Sequence, residues 1–197
     1  MIVMNHSFDW LPALLPSTVI VALILFGLRE VLEWNRRRRA NNRQIRAFKT
    51  LLARECELNR WALESLDRAL IEMSGQSQAD LEADYEIQRR QSGKIFFCND
   101  DGSSWPLPET HFDFMRDNMF AVAALDETLF ALLEAAYDSV IDLEHVRNSL
   151  IEFMENGNEH LEAFIDYGRN ELNDAKQGLE KLYFVCTGSQ LDLGRVR

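Results

Sequence analysis

Residues 10–28, nineteen in a row, carry no formal charge. Few water-soluble folds can absorb such a stretch, because a core helix of a globular domain normally keeps a charged face toward solvent. At about 1.5 Å of rise per residue the run measures roughly 29 Å as a helix, close to the hydrocarbon thickness of a bilayer. It reads as a transmembrane anchor over 10–34, preceded by a short extracytoplasmic tail at 1–9. Trp10 and Trp34 bracket it, and their amphipathic rings suit the two headgroup layers. Arg29 stands at the inner end, where its long stem can snorkel outward and where its i,i+4 spacing to Glu33 is that of a helical ion pair. Pro12 and Pro16 set the depth of insertion. A helix starting at Pro16 has only about 20 Å of uncharged length, which makes an in-plane or partly inserted helix the alternative.

Charge gives the run a direction. Arg36, Arg37, Arg38 and Arg39 follow it closely, then Arg43, Arg46 and Lys49, whereas only His6 and Asp9 can carry charge before it. The positive-inside bias predicts the N-terminus outside and the C-terminal domain in the cytoplasm, in a plasma (inner) membrane. A cleaved leader would place a basic segment before the apolar stretch and a small-residue cleavage site after it. Both are missing, so the anchor is read as retained. Each Lys or Arg beside an anionic leaflet contributes about 1 kcal/mol, so the arginine run is expected to touch anionic headgroups.

Residues 35–70 hold ten Lys and Arg against four Asp and Glu, whereas residues 71–197 hold ten against 25. So acidic a remainder would repel a phosphate backbone, and nucleic acid is not an expected partner. A protein partner, or self-association through helical seams, is. Cys56, Cys98 and Cys186 are odd in number and far apart. They predict no disulfide and no thiolate metal site, and read as small core residues.

The fold class expected is all-α, with the N-terminal transmembrane helix continuing into a basic stalk helix over 35–73. An acidic antiparallel bundle of about four helices follows over 74–187, then a tail at 188–197. In the stalk, Ile45, Phe48, Leu52, Cys56, Asn59, Leu63, Leu66, Leu70 and Met73 recur at steps of three or four, while Leu51, Leu58 and Trp61 widen the face. That width favours packing inside a bundle over a two-stranded coiled coil. Asn59 is placed at the edge of the face. Gly75 and its polar neighbours end the stalk, and a short helix is expected over 79–91.

Residues 93–108 break the helical pattern. Residues 94–98 look strand-like, 99–102 turn-like, and 105–108 extended, with two prolines halting regular structure. This irregular aromatic loop is the candidate partner contact, with Phe96, Phe97 and Trp105 as anchors. Pro108, Glu109 and Thr110 open the next helix. A break near 125–128 leads into a longer helix ending about Glu155, and Asn156, Gly157 and Asn158 supply a stop and a new cap. The last helix carries the cleanest heptad: Leu161, Ile165, Gly168, Leu172, Ala175, Leu179, Leu182 and Cys186, a packing seam. Gly168 and Ala175 let a neighbouring helix come close.

Catalytic sets are scarce, and no enzyme, cofactor or metal site is predicted. A di-iron bundle needs paired Glu-x-x-His elements, and only Asp142 with His145 comes near. Residues 99–102 faintly match a calcium loop, yet Phe97 and Pro108 stand where ligands are needed. Neither phosphate-binding glycine motif is present. The pairs Arg147-Asn148 and Arg169-Asn170 resemble the first half of the motif of HEPN ribonucleases, helical bundles that use an arginine and a histidine four to six residues later. Glu152 or Phe153 follows the first pair and Asp174 or Ala175 the second, so the resemblance implies at most a catalytically inactive relative. The expected protein is a single-pass, membrane-anchored interaction or regulatory protein. The alternative is an oligomeric, pore-type effector or accessory of an anti-phage defence system.

Overall fold

The computed structural model describes residues 17–74, 85–156 and 161–191. Trp10 and the tail at 1–9, the polar stop after the stalk, the cap at Gly157 and Asn158, and residues 192–197 lie outside them. The chain divides into two compact units, 1–44 and 45–197. Helix α1, Ser17–Met73, belongs to both.

In the first unit α1 is apolar on every side through Leu28, and among the described residues nothing covers it as far as Leu32. Leu23, Leu25, Phe26 and Leu32 are 60, 60, 63 and 69% exposed. The uncharged part that is described runs only over 17–28, about 18 Å of helix. No helix among the described residues is long and apolar enough to cross a membrane.

The second unit is mostly helical, with a small antiparallel sheet. Residues 45–73 of α1 pack with α2, Asp113–Ala123, α3, Glu127–Asn156, and α4, Leu161–Thr187. The stalk's spacing at steps of three and four is explained here: Leu52, Cys56, Asn59, Leu66, Leu70 and Met73 are fully buried on one side, whereas Leu51, Leu58 and Trp61 stay exposed. On α4 the seam residues Ile165, Leu172, Ala175, Leu179 and Leu182 are buried. α3 and α4 run antiparallel, as Phe153 stacks on Phe164 at 5.5 Å and His145 meets Tyr167 edge-on at 6.3 Å. Gly168 permits a close approach, since a Cβ there would stand 2.9 Å from Leu70 Cδ1 and 3.4 Å from Val146 Cγ1.

The all-α expectation needs correction. Strands β1, Tyr85–Arg89, β2, Ile95–Asn99, and β3, Ser104–Pro106, form an antiparallel meander. β1 replaces the helix expected over 79–91, and the supposed irregular loop is the other two strands. Pairing of Ile87 with Phe97, and of Phe97 with Trp105, puts these residues on one face. That face joins the core: Phe97 is fully buried, 5.1 Å from the Tyr85 ring and 5.2 Å from that of Trp105. Gly93 and Gly102, at φ +78° and +82°, close the two hairpins in a conformation that glycine adopts without strain. At the second, Gly102 N donates to Asn99 O at 3.0 Å and Asp101 N to Asn99 Oδ1 at 2.7 Å.

Candidate functional site

Two polar constellations stand out, one in each unit. In the first unit the basic collar is partly satisfied by its own helix. Arg37 Nε meets Glu33 Oε1 at 3.3 Å, which gives Glu33 to Arg37 rather than to the expected Arg29. The Arg38 guanidinium lies 5.4 Å from the centre of the Trp34 ring. Arg29, Arg36 and Arg39 are exposed and make no ion pair among the described residues.

In the second unit, buried and half-buried polar groups grip the segment between β3 and α2 and the first turn of α2. From α1, Glu55 accepts hydrogen bonds from Phe114 N at 3.0 Å and Met115 N at 2.9 Å, satisfying donors that a helix start leaves open. One turn on, Asn59 accepts from His111 N at 2.7 Å and donates back to His111 O. The expected edge position of Asn59 is therefore corrected: it is fully buried, and a buried amide requires such a double partner. From α3, Glu144 accepts from the Thr110 hydroxyl at 2.7 Å, and the buried Arg147 donates to Leu107 O through Nε at 3.3 Å and Nη2 at 3.2 Å. Held from both sides, residues 107–112 stay non-helical. For that reason α2 begins at Asp113 rather than near Pro108.

Burial holds the Glu55 carboxyl above its ordinary value, although the two backbone N–H donors pull the other way. Burial likewise raises the thiols of Cys56, Cys98 and Cys186, the last to about 11 despite nearby Lys49. All three are neutral packing groups at ordinary pH, as expected of core cysteines.

The aromatic anchors divide. Phe97 is taken out of the candidate contact surface by its burial. Phe96 is half-buried on the opposite face of the sheet beneath Arg90, whose guanidinium is 3.8 Å from the ring centre. Trp105 is half-buried, with Arg68 at 5.9 Å.

The two arginines of the ribonuclease-like pairs do not come together. Arg147 is a buried clamp, whereas exposed Arg169 lines a cavity of about 440 Å³ between α1 and α4, floored by Leu63, Leu172 and Leu179 and rimmed by Glu64 and Lys176. Among the described residues no group of three or more His, Cys, Asp and Glu could hold a metal ion. Neither a family model, nor a curated protein, nor a solved structure matches the chain.

Proposed function

We propose that the chain is a single-pass membrane-anchored interaction or regulatory protein, its N-terminus outside, its anchor over 10–34 and its acidic second unit in the cytoplasm. The observation that carries this reading is the exposure of α1 on all sides from Val19 through Leu32. A helix apolar all round needs an apolar environment, and the described residues supply none there. The described apolar part is short, so a full crossing also draws on Trp10 and its neighbours, which extend the uncharged run to bilayer length. The arginines after Trp34 then meet anionic headgroups, and the second unit offers Phe96, Trp105 and the exposed Leu51, Leu58 and Trp61 to a protein partner or to a second copy.

The test is fractionation of cells making the full chain with a C-terminal tag. The chain should stay in membranes through alkaline carbonate, and the tag should be digested only after the cytoplasmic side is opened to protease. Extraction by carbonate, or digestion from outside, overturns the reading. Collapse of the membrane potential on overexpression would instead mark a pore-type effector.

A further inference from the structure

The arginines after Trp34 are not equivalent. Arg37 is turned to Glu33 and Arg38 to Trp34, both partners lying on their own helix. Arg36, Arg39 and Arg43 are exposed and make no ion pair or ring contact among the described residues. Their steps of three and four confine them to an arc of about 60° along about 10 Å of α1, whereas Arg37 and Arg38 lie about 100° and 200° round from Arg36. On the same arc, one and three turns toward the N-terminus, stand the exposed Leu32 and Leu25, with the exposed Leu28 and Arg29 each about 20° outside it, on opposite edges. One face of the helix thus passes from apolar to cationic, the order in which a chain leaving hydrocarbon meets headgroups.

We propose that Arg36, Arg39 and Arg43 form a binding face for anionic phospholipid headgroups, with Arg37 and Arg38 outside it. This rests on the membrane-anchor reading, which brings the lipid beside the helix. The guanidinium fork presents paired donors to phosphate oxygens, a match that a lysine ammonium lacks. Continuity with the leucines favours a lipid over a nucleic acid, whose phosphates the acidic second unit repels. Parallel pairing of two copies on this face is disfavoured, because it would set each arginine against its own counterpart.

The test uses the full chain reconstituted in phosphatidylcholine vesicles containing trace spin-labelled phosphatidylglycerol or phosphatidylcholine. The motionally restricted fraction of each label gives a selectivity ratio. The wild-type ratio should exceed one at low salt and shrink as salt rises. R36Q/R39Q and R39Q/R43Q should each remove at least half of the excess, while R37Q/R38Q, which removes the same charge, keeps most of it. A wild-type ratio of one, or an equal loss in R37Q/R38Q, overturns the proposal. Stripping of the chain by alkaline carbonate sinks the anchor reading alone. Flotation with phosphatidylglycerol vesicles then decides the binding face: flotation weakened in R39Q/R43Q and not in R37Q/R38Q upholds it, and no flotation overturns it. Tighter binding to a labelled DNA duplex than to those vesicles at about 0.15 M salt also overturns it.

Discussion

The two stretches of α1 obey opposite rules. Over 19–34 apolar residues face every direction and remain exposed, whereas over 45–73 they recur at helical spacing and bury one side. Hydrophobic content alone does not separate the two. Its angular distribution does, because a helix packed in a bundle must still show water a polar face, while a helix in an apolar medium has no such need. The stretch between them carries the arginines, and there the local partners Glu33 and Trp34 decide which cations remain free.

The sharpest way to break the comparison is to truncate one leucine in each stretch. Leu66→Ala should cost about 2–5 kcal/mol, since Leu66 is fully buried. Leu25→Ala should cost less than about 0.5 kcal/mol, because Leu25 is 60% exposed and no other described element packs on it. Urea unfolding of the detergent-solubilised full chain measures both, and similar costs would erase the distinction. A charge tests the apolar stretch from the other side. Leu23→Asp should disfavour insertion by about 2.5–3.5 kcal/mol and send the chain into the carbonate-soluble fraction, while the second unit unfolds at an unchanged urea midpoint.

Smaller effects sharpen the bundle side. Gly168→Ala gains helix propensity yet drives a methyl into Leu70 and Val146, so a net loss of about 1–2 kcal/mol is expected, readable as a lowered Tm. Glu55 titrates above its ordinary range when folded, so its contribution to stability is complete at pH below the unfolded value and is lost as pH rises through the raised folded value. Glu55→Gln should flatten that decline in a pH series of unfolding midpoints, and an unchanged slope would remove Glu55 as its source. Glu33→Gln breaks only an exposed i,i+4 pair and should change stability by less than about 0.5 kcal/mol in the same unfolding assay.

Helical periodicity was the most legible signal. The heptad from Ile165 to Leu182 lies buried in α4, and the break before Glu127 separates α2 from α3. The turn at 99–102 was equally readable, because Asn99 and Gly102 suit its backbone geometry. β1 was missed, although Tyr85 and Ile87 alternating with Glu86 and Gln88 carried a strand signal five residues long. Such a strand gains its hydrogen bonds only by pairing, and its partner β2 is set by the hairpin at Gly93. Local rules likewise put the start of α2 at Pro108. Asn59, Glu144 and Arg147, distant in sequence, hold the preceding segment in another conformation, and Glu55 caps the helix where it then begins.

Of the candidate site, the collar could be read from charge order alone. Its division into paired and free arginines could not, since Glu33 stands i+4 from both Arg29 and Arg37 and only the folded geometry awards it to Arg37. Phe97 shows the same limit, because three neighbouring aromatics look alike until strand register sets Phe97 and Trp105 on the core side and Phe96 on the other.

By itself the sequence determined the helices and the uncharged run with its flanking arginines, since spacing, turn chemistry and charge are local properties of the chain. Only the tertiary structure decided which apolar residues are covered, where α2 starts, and which arginines stay free. Those outcomes depend on groups that folding brings together, and a buried polar atom accepts whichever partner satisfies it, however far away in sequence.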